Sequence, residues 1–470
     1  MLHCEMELLS HKANYEGLFP DKRLEKRASM IAYSLFSSRT ASVHGATKNE
    51  AEQKGFYRFL ENESVTEDIL IKELTNRCCK NIVNRDIIVI QDTTSFGLNH
   101  NAKNIKSGSG VGFVGNKKGI GFLSHCSLVM DANSETMLGF SDVQLWHRTE
   151  DKANNTTKAY KKQRIEEKES YKWIKASRQS KELLSSAKSI TIIEDREGDI
   201  YEQFSMIPDG KTQLLIRNRD NRRLEDGTKL HEALKQTKPL GEYEIALYGD
   251  LRKEKVKRVA IVEVKAIAVT IQKPASVKNK DLPDQLPLYV VEVQEKNSNR
   301  KDKVCWRILT THVIETYEQA VAIVDKYKLR WYIEQLFRLL KKQGFQIEYT
   351  QLETGWSIRK LLILLLNTTV RVMQLYLAYD EEESQPIQEV FDEQEIKCLQ
   401  TILDKEIKET PKTTNQFNPQ RLSWASWIIA RLGGWKGNNK QRKAGPVIIK
   451  RGLEKFEMIY AGWKMAKNST

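Results

Sequence analysis

The chain is 470 residues long and carries 76 Lys and Arg against 62 Asp and Glu, a formal charge of +14. Its 40% hydrophobic content suffices for buried cores, which excludes a largely disordered chain, and its length suggests about three domains. The longest uninterrupted apolar run, Leu361–Leu366, is six residues, far short of the ~20 that span a bilayer, so no membrane partner is expected. Met1-Leu2-His3-Cys4-Glu5 has no basic stretch ahead of an apolar one, so no secretory signal is expected either. The six cysteines show no CxxC spacing, which points to a reducing, cytoplasmic setting. A net positive charge on such a chain makes a polyanion, usually nucleic acid, the leading partner. A merely soluble surface would give the same balance.

In chain order, residues 1–80 read as several short, basic helices: Asp21-Lys22-Arg23-Leu24-Glu25-Lys26-Arg27 leads into Met30–Leu35, and Phe56–Leu60 follows. The pattern changes at Ile87-Ile88-Val89-Ile90, a β-branched run suited to a buried strand. Further strands are expected around Gly121–Met130 and Met137–Leu145, then a charged helix over Lys161–Ala187 and another buried strand at Ser189–Ile193. Strand, strand, strand, helix, strand is the order of a ribonuclease-H-like core. Between about 211 and 303 the pattern is mostly strand, over Gln213–Arg217, Tyr243–Leu247, Val259–Ile271 and Leu288–Val293, with basic clusters at Arg217–Arg223, Arg252–Arg258 and Arg300–Lys303. A last strand, Val304–His312, precedes a long helical stretch from 316 to 345, and the chain reads as helical beyond 357. Four of the nine tryptophans fall in the last 50 residues, near a basic loop at Lys436–Lys443.

Three carboxylates stand out. Asp92 and Asp195 each follow a short apolar strand and open a turn, and carboxyl ends of strands are where sheets present ligands. On neighbouring strands two such acids would repel one another unless a divalent cation or a shared proton compensated. An Asp that merely opens a turn after a strand looks the same. The third is Glu334. On one continuous helix at 100° per residue, Tyr327, Arg330, Glu334 and Lys341 fall at about 0°, 300°, 340° and 320°, a stripe about 21 Å long. Leu329, Ile333, Leu336 and Leu340 form a separate apolar stripe. An acid flanked by two cations suits a metal ion and a phosphate backbone; a solvated face with i,i+4 pairs has the same composition.

These residues resemble the insertion-sequence-four family of cut-and-paste DDE transposases. The family's Tyr-x2-Arg-x3-Glu-x6-Lys signature is intact as Tyr327, Arg330, Glu334 and Lys341, with Trp331 and Ile333 also matching. Its Asp-Arg-Glu-Ala-Asp-Ile motif appears as Asp195-Arg196-Glu197-Gly198-Asp199-Ile200, departing only by Gly198. Further matches are Asp92-Thr93-Thr94-Ser95, Tyr57-Arg58-Phe59, Glu167–Ser170 with Lys172-Trp173, and Ala430–Gly434.

The resemblance implies an α/β fold, a ribonuclease-H-like catalytic core (81–357) with a β-rich insertion (about 211–303), flanked by a helical DNA-binding domain (1–80) and a helical dimerisation domain (358–470). It implies catalysis by Asp92, Asp195 and Glu334 holding two Mg2+ ions, with Mn2+ as a substitute. Partners would be the double-stranded inverted repeats at transposon ends, target DNA, and a second copy in a synaptic homodimer. DNA contacts would come from Tyr327, Arg330, Lys341, Arg217, Trp306 and Trp331, and from Arg23, Lys26, Arg27 and Arg58 in the N-terminal domain. The reaction implied is nicking, hairpin formation, hairpin opening and joining of 3′-OH ends, in a bacterial cytoplasm and on the nucleoid when bound. A structure-selective nuclease without joining, and a non-catalytic DNA-binding derivative, are the competing readings. The first would lack the Tyr-Arg-Glu-Lys signature, and the second would have lost an acid or the N-terminal domain.

Overall fold

A computed structural model describes residues 13–114, 119–149, 163–247, 258–296, 303–341, 344–379, 381, 384–411, 413–436 and 444–468. The chain start, most of the 252–258 and 300–303 basic clusters, and the loop at 437–443 lie outside the described residues. In chain order the helices are α1 (Lys22–Ser38), α2 (Glu50–Glu61), α3 (Glu67–Lys80), α4 (Tyr171–Leu183), α5 (Tyr201–Met206), α6 (Leu230–Gln236), α7 (Tyr317–Lys328), α8 (Trp331–Leu340), α9 (Gly355–Ala378), α10 (Glu393–Lys405), α11 (Leu422–Leu432) and α12 (Pro446–Asn468). The strands are β1 (Asp86–Gly97), β2 (Gly112–Val114), β3 (Gly119–Asp131), β4 (Met137–Trp146), β5 (Ser189–Glu194), β6 (Thr212–Arg217), β7 (Gly241–Leu247), β8 (Arg258–Gln272), β9 (Gln285–Glu295) and β10 (Cys305–Thr310). They fall into two compact units: Met1–Val83, Thr93–Asn154 and Ile333–Thr470 in the first; Asn84–Asp92 and Asn155–Tyr332 in the second. β1 contributes to both.

In the second unit, β1 and β5 run parallel with Ile87 opposite Ile190 and Ile90 opposite Ile193. β5 and β6 continue the parallel arrangement. Ile87–Ile90 and Ile190–Ile193 are almost wholly buried, and a strand covered on both faces is built from such an unbroken apolar run. Antiparallel strands β10, β9, β8 and β7 then extend the same sheet beyond β6. Along β8 the burial alternates, with Ala260, Val262 and Val264 inward and Val259 and Ile261 outward, as a one-sided antiparallel strand requires.

In the first unit, β3 lies beside β1 and pairs with β2 and β4. The order β4-β3-β1-β5-β6 matches the expected ribonuclease-H-like core. Gly121 permits the approach of β3 to β1, since a Cβ there would stand 2.0 Å from the Phe96 carbonyl oxygen. The helical part packs around α9, which touches α1, α2, α3, α11, α12 and β4. α9 is long and apolar enough to cross a membrane by length and composition, but 78% of its most apolar window is buried within the protein. Its charges are paired internally: Arg359 with Glu67 at 2.7 Å, Arg371 with Glu395 at 3.1 Å, and Lys360 Nζ with the Leu60 carbonyl at 2.9 Å. Side chains cap several helices, with Asp21 on α1, Asn49 on α2, Thr66 on α3 and Thr316 on α7.

Two helical expectations are corrected. The charged helix expected over Lys161–Ala187 is shorter: Lys168 is extended (φ −90, ψ 146) after a 3-10 turn at Ile165–Glu167, and α4 starts only at Tyr171. The long helix expected from 316 to 345 is broken. Leu329, Arg330 and Tyr332 donate to the carbonyls three residues back, at 3.1, 3.2 and 2.9 Å, and this tighter turning ends α7 before α8 begins. Tyr327 therefore lies in α7, Arg330 in the turn, Glu334 in α8 and Lys341 just past it, so the four do not share one continuous helical stripe.

Candidate active site

In the second unit β1 and the end of β5 carry two of the three acids. Asp195 directly follows β5, but β1 runs on to Gly97, so Asp92 lies within the strand and does not open a turn after it as expected. Ile90 pairs with Ile193, so Asp92 and Asp195 follow at the same level along neighbouring parallel strands. Asp195 caps the 3-10 turn Arg196–Gly198, its carboxylate accepting from the Glu197 amide at 2.7 Å. That turn is docked onto α4 by Lys172, which pairs with Glu197 at 3.1 Å. Asp199 ends the motif and is buried. It accepts from Asn218 Nδ2 at 3.1 Å, the Arg219 amide at 2.8 Å and Arg222 Nε at 3.0 Å, and so anchors the loop after β6. Part of the Arg217–Arg223 cluster is thus consumed internally, because Arg222 is buried on Asp199 and Arg219 pairs with Asp220 at 3.1 Å.

Arg330 Nη1 lies 3.1 Å from Asp92 Oδ2, placing a cation on the first acid. Tyr327 is buried, with its ring 5.8 Å from that of Trp306 at 62°. Burial pushes its phenol up while Arg330 and Arg217 oppose the shift, which keeps the group a neutral phenol at physiological pH. Burial also pushes the Arg217 guanidinium down, against the pull of Tyr327; a guanidinium remains charged regardless. The second unit therefore brings Asp92, Asp195, Arg217, Trp306, Tyr327 and Arg330 into one neighbourhood. Trp331 is exposed at 45%.

In the first unit, Glu334 stands in the first turn of α8. Lys341 Nζ donates to Thr94 Oγ1 at 2.5 Å and lies 5.2 Å from the Phe96 ring centre. Thr93 and His125 are hydrogen-bonded at 2.9 Å. The N-terminal candidates sit on α1 (Arg23, Lys26, Arg27) and α2 (Arg58). Arg23 is exposed and pairs with the capping Asp21 at 3.0 Å. Arg27 lies against Gly55, where a Cβ would approach its Nη1 to 2.7 Å.

Sequence reasoning missed the groups behind the acids. Gln91, Ser177, Glu194 and Gln203 are wholly buried. Gln91 Nε2 donates to Ser177 Oγ at 3.0 Å, Ser177 Oγ to Glu194 Oε1 at 3.2 Å, and Gln203 Nε2 to Ser177 Oγ at 2.6 Å and to Glu194 Oε1. Burial pushes the Glu194 carboxyl well above the usual range, favouring its neutral form. The one available signal was a glutamate ending an otherwise apolar strand.

Carboxylate oxygens are the hard donors that Mg2+ and Mn2+ prefer. Asp92 and Asp195 supply them from the same level of adjacent strands, so the donor chemistry fits such an ion. Among the described residues no group of three or more His, Cys, Asp or Glu is gathered tightly enough to hold one.

The family described as "Transposase DDE domain" matches residues 84–373, and that described as "Transposase DNA-binding" matches residues 16–65. Among solved structures, a piggyBac transposase synaptic complex with hairpin DNA is similar at a TM-score of 0.32 and 9% identity. That match covers 84% of this chain and 78% of the other, a likeness too loose to bear on the argument. The DDE match takes in both strand-borne acids, Glu334 and more than half of the chain, and the chain belongs to the DDE transposase family.

Proposed function

We propose that the chain is a cut-and-paste transposase of the insertion-sequence-four branch, to which the Tn-five transposase belongs. The observation that carries this reading is the placement of Asp92 and Asp195 at the same level of adjacent parallel strands, each two residues past the Ile90–Ile193 pair, with Arg330 on Asp92. Asp92, Asp195 and Glu334 would hold two Mg2+ ions, or Mn2+ in their place. When bound, the ions supply an activated attacking oxygen and a stabilised leaving oxygen for in-line phosphoryl transfer.

The remaining work falls to the chain's own side chains. Arg330, Lys341 and Arg217 bind phosphates and hold a bent DNA terminus. Trp306 receives a base unstacked from the transposon end, a distortion that costs a few kcal/mol. Because Tyr327 is buried edge-on against Trp306, its part in DNA contact runs through the Trp306 ring and Arg217. Trp331 offers a second exposed aromatic face. Arg23, Lys26, Arg27 and Arg58 grip the inverted repeats. In this division of labour residues 1–80 bind ends, 81–357 perform the chemistry and 358–470 join two copies in the synaptic homodimer. The setting is a bacterial cytoplasm, on the nucleoid when DNA is bound.

The DNA chemistry then runs in order. Hydrolysis at the transposon end frees a 3′-OH, which attacks the opposite strand to close a hairpin and release flanking DNA. Water opens the hairpin, and the freed 3′-OH attacks target DNA. The test is incubation of the protein with linear DNA carrying the flanking inverted repeats, Mg2+ and a target plasmid. Nicks, hairpins and joined products are expected, with end-binding that weakens steeply as salt rises. Nicks with no joining, even from pre-nicked ends, would replace this reading by that of a structure-selective nuclease.

A further inference from the structure

Asp92 and Asp195 have a common support on the other face of the sheet. Side chains alternate along a strand, so Gln91 and Glu194, which precede Asp92 and Asp195, turn to the face opposite the acids. There both reach the same hydroxyl. Gln91 Nε2 lies 3.0 Å from Ser177 Oγ, and Ser177 Oγ lies 3.2 Å from Glu194 Oε1. Ser177 belongs to α4, which covers that face, and Gln203 from α5 closes the cluster through Ser177 and Glu194. The backbone register is defined up to Ile90 opposite Ile193. The side-chain bridge carries it one residue further, to the level from which the acids depart.

The bridge also accounts for the single departure from the second-acid motif. A Cβ at position 198 would stand 2.0 Å from Glu194 Oε2 and 2.7 Å from Glu194 Cβ. The alanine of the family motif therefore collides with Glu194, and glycine is the residue compatible with it. Gly198 belongs to the turn that Asp195 caps, so Glu194 presses on both the strand end and the turn that together orient Asp195. All four members of the cluster are wholly buried, and the hydrogen bonds among Gln91, Ser177, Glu194 and Gln203 hold them together there.

We propose that Ser177, with Gln91, Glu194 and Gln203, forms a positioning bridge that fixes Asp92 relative to Asp195, and that Gly198 is the space this bridge requires. The inference rests on the reading of Asp92 and Asp195 as metal ligands. It assigns Ser177 and Glu194 no contact with DNA or ion; they act through β1 and the end of β5. Outer groups that orient metal ligands typically cost 10–100-fold in metal affinity or activity when lost.

The test uses the full chain and Mn2+ as the probe, with bound and free Mn2+ measured by electron paramagnetic resonance without DNA. Nicking of end DNA is followed in parallel across Mg2+ concentrations. Ser177→Ala is expected to weaken Mn2+ binding about 10-fold and to raise the half-maximal Mg2+ concentration in step, with end-binding unchanged. Glu194→Gln preserves shape and amide bonding and should stay close to the parent protein. Gly198→Ala should mimic Ser177→Ala, because its added methyl displaces Glu194 from the bridge.

Folded Ser177→Ala with unchanged Mn2+ affinity overturns the bridge, as does Gly198→Ala with parental metal binding. Asp92→Ala separates the two levels. If it retains Mn2+ binding and nicking, the metal-ligand reading itself falls. If it loses both while Ser177→Ala loses neither, only the positioning inference falls.

Discussion

The helices around α9 and the cluster behind Asp92 and Asp195 bury polar groups in opposite ways. The helices bury full charges. Arg371 pairs with Glu395 at 3.1 Å and approaches Glu457 at 3.7 Å, its guanidinium lying over the rings of Phe36 and Phe391. Arg39, in a left-handed conformation (φ 48) just past α1, reaches Glu457 at 3.3 Å. Burial pushes the Arg39 guanidinium down to about 10 although Glu457 pulls it up. The cluster directly behind the two strand-borne carboxylates instead holds two amides, one hydroxyl and an acid whose neutral form is favoured. Charge ties helices together at a high energetic stake, because loss of one partner strands the other. Neutral hydrogen bonds carry a smaller stake but set the angle of the groups next to them. Damage to the first should therefore appear in stability, and damage to the second in metal dependence.

The largest effect is expected at Arg371. Arg371→Leu removes the buried partner of Glu395 and one of the two cations at Glu457, and should cost about 3–5 kcal/mol of stability, read by thermal or urea unfolding. Nicking per folded molecule should not change. A loss of nicking with intact stability would show that the helical cluster serves the chemistry after all.

Arg330→Ala sharpens the other side. It removes a phosphate-binding cation that is also the Asp92 partner. Hairpin formation should fall about 100-fold, the scale for loss of a preorganised donor, while the first nick falls less. Equal loss in both assays would count against a role for Arg330 at the bent terminus.

A smaller effect is expected at His312, whose Nε2 is 3.0 Å from Thr191 Oγ1. Burial pushes its imidazole down to about 4, below the unfolded value near 6.5. Between these values the unfolded chain binds a proton that the folded one does not. The His312 contribution to stability is thus complete above about pH 6.5 and is lost as pH falls toward about 4. His312→Gln should flatten that part of the unfolding profile, and an unchanged acid limb would contradict the assignment.

The strands were legible because burial on both faces demands unbroken apolar runs, as at Ile87–Ile90 and Ser189–Ile193. The acids were legible because Asp92 and Asp195 each follow an apolar run, although the run before Asp92 is only the first half of β1, which polar Asp92-Thr93-Thr94-Ser95 continue to Gly97. The break between α7 and α8 was not. Neither Gly nor Pro lies between Tyr327 and Glu334, and a shift from i−4 to i−3 hydrogen bonds leaves no mark on composition. α9 escaped a run-length criterion because Arg359, Lys360 and Arg371 interrupt it, although partners from elsewhere in its unit neutralise them. The bridge behind the acids was illegible for a related reason. Ser177 and Gln203 acquire meaning only when α4 and α5 fold over β1 and β5, and the sequence shows Gly198 as a departure without showing that Glu194 fills the space.

The account rests on three carboxylates acting on bound DNA. Its most direct test compares the parent protein with Asp92→Ala, Asp195→Ala and Glu334→Ala on DNA bearing the flanking inverted repeats, with Mg2+ present. All four proteins should bind the ends with similar affinity, and only the parent should yield nicks, hairpins and joined products. Robust nicking by any one of the three variants would contradict the role assigned to that acid.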